Sequence, residues 1–201
     1  MQSLEEYTSK AKNIDFRTEC WIDGRFVPSR SGETFSNINP ATGKKLCDVA
    51  KGNSSDIDAA VKAARTAFED GRWSGKTPSE RKEVILNLAR LIRENVTEMA
   101  LLDTLDMGKP ISETVNVDAP GSAFFFQWHA EAVDKIYDEI APTGGRDIAM
   151  IRRSPLGVIG AVVPWNFPLD MATWKLAPAL VTGNSVAVSY THLTLPTKRI
   201  V

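Results

Sequence analysis

In the first fifty residues, short apolar runs alternate with polar positions and are separated by turn residues. Residues 20–27, CWIDGRFV, place Asp23-Gly24 between two such runs. Because glycine accepts a positive φ without steric cost, this arrangement predicts a β-hairpin. Residues 35–50, FSNINPATGKKLCDVA, repeat it around a Pro/Gly turn at 39–43. The N-terminal part of the chain is therefore expected to form two hairpins.

The apolar residues then recur every three to four positions, which predicts amphipathic helices. The first helix is expected to begin at the N-cap Ser55 and to end at Gly71. The second begins in TPSE, where Thr77 is the N-cap and Glu80 completes a capping box.

A third helix is predicted over about 97–107 and a fourth over about 119–140. The same spacing predicts which side of each helix is buried. The predicted buried residues are Val84, Leu88, Leu91 and Ile92 in the second helix, Met99, Leu102 and Leu105 in the third, and Phe125, Trp128, Ala132 and Ile136 in the fourth. We interpret the aromatic stripe of the fourth helix as core packing rather than as a cofactor contact.

The last part of the chain alternates between strand and helix patterns. Residues 146–153, RDIAMIRR, alternate as a strand does, and 157–163, GVIGAVV, form an apolar run typical of a strand buried on both faces. Residues 169–183 predict a helix with Gly183 as its left-handed stop, and NSVAV begins another buried strand. Strand, helix and strand in this order form a βαβ unit, so the fold class is α/β with a parallel sheet.

Composition and charge exclude several classes of function. The 201 residues carry a formal net charge of −1, so no overall field attracts nucleic acid or an anionic membrane. No apolar run reaches the roughly 18 residues that a membrane span requires. Cys20 and Cys47 are too few for a disulfide framework, and the polar N-terminus does not resemble a secretory signal. A cytoplasmic protein without nucleic-acid or membrane partners is expected.

The candidate chemistry lies in VVPWNFP, at the carboxyl end of the predicted strand 157–163. Ligands of open α/β sheets bind outside that end of the strands. Pro164 and Pro168 stiffen the backbone on both sides of Asn166, so its amide can be aimed with little loss of entropy. A fixed amide is a good donor to an oxygen that becomes negative during a reaction. From the residues alone, a capping or turn role for Asn166 stays equally open.

Several motifs together resemble the NAD(P)-dependent aldehyde dehydrogenases. The motifs NPATGK, RKEVILNLARLIREN, LLDTLDMGKPI, AEAVDKIYDEIAP and IRRSPLGVIGAVVPWNFP follow in the order and spacing of that family over about residues 20–188. LDTLDMGKPI combined with HAEAVDKIYDEIA is most similar to the branch that acts on γ-glutamyl-γ-aminobutyraldehyde and related aminoaldehydes. The resemblance implies an incomplete aldehyde dehydrogenase fold, with N-terminal hairpins and helices followed by the first βαβ of a Rossmann-like parallel sheet.

The resemblance also implies roles for individual residues. Asn166 is expected to be the oxyanion-hole side chain. The adenosine half of NAD or NADP is expected to lie, largely through backbone contacts, along Val162, Val163, Pro164 and Trp165. The aldehyde tunnel is expected to be lined by Phe167, Met171 and Trp174. Asp106, with the backbone near Asn37 and Ile38, resembles a monovalent-cation site seen in some relatives.

One departure from the family concerns the substrate. Where relatives usually continue PWNFPLL, this chain has Leu169-Asp170. A carboxylate near the tunnel favours a cationic aldehyde by charge pairing, which leads to the hypothesis of an ω-aminoaldehyde preference. The alternative is an exposed Asp170 in the first turn of a helix, where the macrodipole favours it.

Neither cysteine is expected to be the nucleophile, because neither has a neighbouring base in the sequence. The resemblance places the catalytic Cys and Glu of the family downstream, so the 201-residue chain is expected to be inactive by itself. The complete enzyme is expected to oxidise an aldehyde to the acid through a Cys thiohemiacetal, as a homodimer or homotetramer. The alternatives are a betaine-aldehyde or generic aliphatic aldehyde dehydrogenase, or a non-catalytic dinucleotide-binding module.

The resemblance also divides the chain into segments. We expect an N-terminal extension at 1–19, the N-terminal part of the NAD-binding domain at 20–144, a segment of the oligomerisation domain at 145–157, and the start of the Rossmann-like sheet at 158–188. At Ser189, relatives have a Lys that bonds the adenosine ribose. Because Val188 and the residues after it back-translate into a transposase-type adapter, we interpret 189–201 as a non-native tail from read-through into library DNA.

Overall fold

The computed structural model describes residues 2–190, with Tyr190 described by its backbone. The strands are β1 Cys20–Ile22, β2 Arg25–Val27, β3 Thr34–Ile38, β4 Lys45–Ala50, β5 Glu139–Ala141, β6 Ala149–Ile151, β7 Val158–Val163 and β8 Ser185–Tyr190. The helices are α1 Leu4–Ala11, α2 Ser54–Glu69, α3 Pro78–Glu94, α4 Val96–Met107, α5 Ile111–Glu113, α6 Ala119–Ala132 and α7 Pro168–Val181. A π-helical turn, Thr114–Asp118, precedes α6, and a 3-10 turn, Val133–Lys135, follows it.

Both predicted hairpins form. Strand β1 pairs antiparallel with β2 across Asp23-Gly24, whose φ angles of 52° and 74° suit the predicted tight turn. Strand β3 pairs antiparallel with β4. The segment expected only as an extension contains helix α1, which Ser3 and Glu6 cap by reciprocal hydrogen bonds.

The predicted start of α3 is confirmed, whereas that of α2 is wrong. Helix α3 begins at Pro78 after the N-cap Thr77, with the expected capping box. The N-cap of α2 is Asn53, whose side chain accepts hydrogen bonds from the backbone N–H groups of Ser55 and Asp56. Because Asn53 supplies the cap two positions earlier, Ser55 lies inside the helix.

The core lies between α3, α6 and α7, and the predicted buried residues match it only in part: Ile92 of α3 is buried as predicted, and Leu88 packs against the core. Val84 and Leu91 of α3 are 49% and 42% exposed, while Ile85 is 2% exposed. In α6, Trp128 is 54% exposed. The residues buried in this core are Ile85, Ala89, Ile92, Ala123, Phe126, Ala130, Val133, Ala177 and Val181. Many of them are alanines, which permit close approach of helices but add little to a pattern based on large side chains.

The fourth helix is also shorter than predicted. Helix α6 ends at Ala132, and Glu139–Ala141 form strand β5, which pairs antiparallel with β6. Ile136 therefore lies outside the helix and is 51% exposed. The apolar residues keep a helical spacing across the 3-10 turn, so the sequence predicted one long helix in place of a helix followed by a strand.

The predicted βαβ unit forms at the end of the described chain. Strands β7 and β8 are parallel neighbours, and α7 connects them. The helix continues past Pro178, and the chain leaves it at Gly183, whose φ is 90°. Strand β7 is not buried on both faces among residues 2–190, because Ala161 and Val163 are buried but Val162 is 59% exposed. Strand β8 includes Ser189 and Tyr190 of the predicted tail, and residues 191–201 lie outside the described residues.

Side chains from distant positions bind the carbonyl end of α7. Trp73 Nε1 donates to the Leu180 oxygen at 2.9 Å, and Arg81 Nε donates to the Val181 oxygen at 2.8 Å. Asn184 Nδ2 donates to the Ala179 oxygen at 3.1 Å. The Leu180 and Ala179 oxygens also accept backbone hydrogen bonds from Gly183 and Asn184, so the carbonyl end of α7 is well satisfied. The bond from Arg81 also holds α7 against α3. The architecture is the predicted α/β one, and within residues 2–190 no helix is long and apolar enough to cross a membrane.

Candidate active site

The segment 164–167 connects the carboxyl end of β7 to the first residue of α7, Pro168. Asn166 is exposed at this turn. Within the described part of the chain, no protein group hydrogen-bonds to its side chain. The amide is therefore not used as a cap or a turn clamp in this structure, and its donor is free to bind a ligand oxygen.

The residue after Asn166 is attached to a buried ion pair. The ammonium of Lys109 lies 3.9 Å from the centre of the Phe167 ring, a cation–π distance. The same ammonium donates to both carboxylate oxygens of Asp118 at 2.7 and 2.6 Å. Asp118 is 0% exposed and the Lys109 side chain is 17% exposed. The turn that carries Asn166 is thus connected to the π-helical turn before α6.

A second connection joins the first turn of α7 to α6. Ser122 Oγ lies 2.9 Å from Asp170 Oδ1 and 2.9 Å from the backbone oxygen of Asp118. Asp170 is half-buried rather than exposed, which is contrary to the alternative of a solvated first-turn carboxylate. Burial is the main cause that raises the pKa of Asp170, and nearby Asp118 raises it further, while Ser122 and Lys109 lower it. A cation bound close to this carboxyl group would favour its ionised form and lower its pKa.

Asp103 of α4 is the most unusual carboxyl group near the site. It is 6% exposed, and its Oδ2 has no hydrogen-bond partner among the described residues. Burial raises its pKa to about 7, and the charges of Asp118, Asp106 and Asp170 contribute to this rise against Lys109. Below about pH 7 the folded chain therefore keeps a proton on this carboxyl group.

Replacing Asp103 with Asn is expected to flatten the dependence of stability on pH. An unfolded Asp loses its proton near pH 4, whereas the folded Asp103 keeps it until about pH 7. Over that interval the folded state binds more protons, so its stability falls as pH rises, by up to about 1.4 kcal/mol per pH unit. Urea unfolding of the 201-residue chain between pH 4.5 and 8 measures this slope.

The matched control for the charge change is Asp58→Asn, because Asp58 is an exposed carboxylate of α2. The slope, rather than the absolute stability, is the readout, since an asparagine at position 103 also introduces a buried amide. An Asp103→Asn chain with the same slope as the unaltered chain would contradict the assignment of a protonated carboxyl group.

The predicted tunnel residues lie along one side of α7, at positions separated by one and two turns. Phe167 and Trp174 are 37% and 48% exposed, and Met171 is half-buried between them. Trp174 packs on Phe125 of α6 with ring centres 5.2 Å apart. His129 Nδ1 lies 2.9 Å from the Phe125 oxygen. Phe125, which was interpreted as a core residue, thus packs against Trp174 at this surface.

The predicted cofactor residues fit a bound adenosine only in part through their side chains. Val162 and Trp165 are 59% and 49% exposed, whereas Val163 is 2% exposed. Contact with Val163 is therefore possible only through its backbone, as the resemblance implied. The position of these residues at the open carboxyl end of a parallel strand fits a nucleotide.

The structure places Asp106 beside the side chain of Asn37, whereas the predicted cation site uses the backbone near Asn37 and Ile38. Asn37 Nδ2 donates to Asp106 Oδ1 at 2.6 Å. Across residues 2–190, no group of three or more His, Cys, Asp or Glu side chains is placed to hold a metal ion. A monovalent cation bound mainly by backbone oxygens stays a prediction.

The two cysteines have the environment of structural thiols. Burial is the main cause that raises the pKa of both Cys20 and Cys47, and nearby carboxylates raise it further. A raised pKa lowers the thiolate fraction at neutral pH, and the thiolate is the nucleophilic form. This agrees with the interpretation that neither is the catalytic cysteine.

Sequence reasoning did not identify Lys109, Asp118 or Ser122 as parts of the site. The sequence could have indicated Asp118, because this charged residue stands between the apolar residues Val117 and Ala119. Charged residues are almost never fully buried unless they are paired, so such a position indicates a partner. The identity of the partner required the fold.

Comparison with known proteins identifies the family of the chain. The aldehyde dehydrogenase family matches residues 26–200, a span that includes most of the segment interpreted as a non-native tail. An aminoacetaldehyde dehydrogenase of Pseudomonas aeruginosa is 48% identical over 186 residues, which cover 92% of this chain and 38% of that protein. The NADP/NAD-dependent aldehyde dehydrogenase PuuC of Escherichia coli is 46% identical over 183 residues, covering 91% of this chain and 37% of that protein.

Solved structures give the same result. The gamma-glutamyl-gamma-aminobutyraldehyde dehydrogenase of Burkholderia cenocepacia has a TM-score of 0.91 at 44% identity, covering 93% of this chain and 38% of that one. The chain thus spans about 38% of the length of the proteins that it matches. Over that span, sequence and structure agree with these proteins in the hairpins, the helices and the βαβ unit. The chain belongs to the aldehyde dehydrogenase family.

Proposed function

We propose that this sequence forms the N-terminal part of an enzyme that oxidises an aldehyde to the carboxylic acid with NAD or NADP. The observation that carries the proposal is the exposed Asn166 amide, which no described protein group occupies. It lies at the carboxyl end of β7 in a chain of the aldehyde dehydrogenase family. The name of the Escherichia coli relative, which includes both NADP and NAD, supports the cofactor class.

Asn166 has one task in this proposal. When a thiolate adds to the aldehyde carbon, the carbonyl oxygen takes up the electron pair and becomes negative. The Asn166 amide donates a hydrogen bond to that oxygen and stabilises the charge where it develops. The raised pKa values of Cys20 and Cys47 are a reason to assign the thiolate to another cysteine of the complete enzyme.

The remaining residues of the turn hold the other reactants. The backbone from Val162 to Trp165 supports the adenosine half of the cofactor, which supplies the hydride acceptor when it is bound. Phe167, Met171 and Trp174 form an apolar wall that excludes water from the aldehyde. Exclusion of water by this wall also lowers the local dielectric constant and so strengthens the hydrogen bond from Asn166.

We also propose an aminoaldehyde as the substrate, with Asp170 as the residue that selects the cation. Asp170 is half-buried on the first turn of α7, on the same helix as the tunnel residues. A carboxylate partly removed from water attracts an ammonium group more strongly than an exposed one does. The aminoaldehyde substrates in the names of the Pseudomonas aeruginosa and Burkholderia cenocepacia proteins support this class.

The Asp170 assignment predicts a change in selectivity. In the complete enzyme, Asp170→Asn is expected to lower kcat/KM for a cationic ω-aminoaldehyde roughly tenfold relative to a neutral aldehyde of the same length. NADH formation at saturating cofactor with both aldehydes measures the ratio. Asp58→Asn, which makes the same charge change on α2, is expected to leave the ratio unaltered.

Three outcomes separate the alternatives. A ratio unchanged by Asp170→Asn and by Asp170→Leu contradicts the aminoaldehyde assignment but leaves the oxidation itself standing. A preference for betaine aldehyde or for neutral aliphatic aldehydes in the unaltered enzyme assigns it to those classes. If the enzyme oxidises none of these aldehydes with NAD or NADP, the proposed function is contradicted.

A homo-oligomer is part of the same proposal. The hairpin of β5 and β6 exposes large apolar side chains, with Ile140, Ile148 and Met150 being 75%, 81% and 76% exposed. Exposed apolar surface of this kind marks a contact with another protein surface. We assign the hairpin to the subunit contact of the complete enzyme, where neighbouring strands pair edge to edge.

A further inference from the structure

The direction of the Asn166 amide depends on how its turn is attached to the rest of the chain. Asn166 is exposed, and its own side chain has no protein partner in the described chain. Its orientation therefore depends on the backbone of the turn. The side chain of the next residue, Phe167, has a specific attachment, because its ring lies on the ammonium of Lys109 at 3.9 Å.

Lys109 is itself fixed by the carboxylate of Asp118. The ammonium of Lys109 donates hydrogen bonds to both carboxylate oxygens of the fully buried Asp118, at 2.7 and 2.6 Å. Withdrawal of the ammonium would leave the Asp118 charge buried without compensation, which is strongly unfavourable. Asp118 ends the π-helical turn, and such turns are rare and frequently found at functional sites.

The backbone before Lys109 is constrained at Gly108. Gly108 ends α4 with a φ of 78°, and a Cβ atom there would lie 2.8 Å from Pro40 Cγ. Both the conformation and the close approach exclude a larger residue without a shift of the chain. The stem of Lys109 is therefore directed by a turn that only glycine fits.

The contact with Phe167 is not needed for the ion pair itself. A lysine that only neutralised Asp118 could do so from any direction around the carboxylate. In this structure the ammonium is placed between the carboxylate and the ring, and so it joins the turn to α6. The separate contact between Ser122 and Asp170 joins α6 to the first turn of α7, just after the turn that carries Asn166.

We propose that Lys109 is a positioning residue for Asn166, which it orients through the ring of Phe167. This inference rests on the proposed function, because it assumes that the Asn166 amide acts on the reacting oxygen. Lys109 touches neither the aldehyde nor the reacting atoms in this proposal. Its effect is to hold the amide in the direction that the oxyanion requires.

The test uses the complete enzyme with Lys109→Met, Lys109→Arg, Asn166→Ala and the double variant Lys109→Met/Asn166→Ala. Lys109→Met is expected to lower kcat about 10- to 100-fold with little change in KM, because a displaced donor costs transition-state stabilisation. Lys109→Arg keeps a cation on the ring and is expected to recover part of kcat. In the double variant, Lys109→Met is expected to add little to the loss caused by Asn166→Ala.

Non-additivity of this kind distinguishes positioning from general structural damage, which would lower kcat by the same factor with or without Asn166. If Lys109→Met does not fold, Lys109→Met/Asp118→Asn removes both charges and takes its place. An unchanged kcat in the folded variant, or full additivity with Asn166→Ala, overturns the inference. A normal kcat for Asn166→Ala contradicts the proposed function of Asn166 instead, so the two failures are distinguishable.

Discussion

Asn166→Ala in the complete enzyme is expected to lower kcat about 100- to 1000-fold, while KM for the aldehyde changes little. The amide is proposed to bind an oxygen that carries negative charge only after the carbonyl carbon has been attacked. Its hydrogen bond is therefore much stronger in the transition state than with the bound aldehyde. Loss of such a donor typically removes roughly 2.7–4 kcal/mol of transition-state stabilisation.

The structure makes this variant suitable as a test. Asn166 is exposed, and no described protein group bonds to its side chain, so alanine breaks no internal hydrogen bond. A loss of kcat therefore cannot be attributed to a lost cap. Asn87→Ala is a control that removes an exposed asparagine of α3 and, unlike Asn166→Ala, also removes hydrogen bonds from Arg90. Steady-state NADH formation measures both, and equal kcat values would contradict the role assigned to Asn166.

Local chemistry accounts for the elements that the sequence predicted correctly. The turn at Asp23-Gly24 and the capping box of Thr77 and Glu80 depend on residues a few positions apart, and both form as expected. The order of the βαβ unit likewise follows from an apolar run, a helix and a glycine stop at Gly183. Interactions over such short separations do not require knowledge of the fold.

The candidate site depended on contacts that no local pattern contains. Asp170 is held by Ser122, which lies 48 positions away, so burial of Asp170 could not be inferred from its place in a first turn. Lys109 and Asp118 are closer in sequence, but the intervening chain contains a π-helical turn that determines their approach. The oxyanion role of Asn166 came from the family resemblance, and the structure added the free amide and its attachment through Phe167.

The position of the core could be predicted only in part, for a reason visible in α3 and α6. These helices pack through small residues, including Ala89, Ala123 and Ala130, each of which is 0% exposed. A spacing rule weighted by large side chains selects the neighbouring face instead, with Val84 and Leu91. The two assignments differ by one position along α3, which corresponds to about 100° around the helix.

The variants Ile85→Ala and Val84→Ala decide between these two faces. Ile85 is 2% exposed in the core, so its truncation is expected to lower the free energy of unfolding by about 2–5 kcal/mol, through lost burial and the cavity that remains. Val84 is 49% exposed, so its truncation is expected to cost less than about 0.5 kcal/mol, since alanine also favours the helix.

Equilibrium urea unfolding of the 201-residue chain measures both values under identical conditions. The two positions are adjacent in α3, so differences in helix length, capping and unfolded-state composition largely cancel. A larger loss for Ile85→Ala places the core on the face formed by Ile85, Ala89 and Ile92. The reverse order would place it on the side of Val84 and Leu91, the two predicted core residues that are exposed here, and α3 would then have to be rotated relative to α6 and α7. Such a rotation would also displace Arg81 from the carbonyl end of α7, whose opposite end carries Asn166.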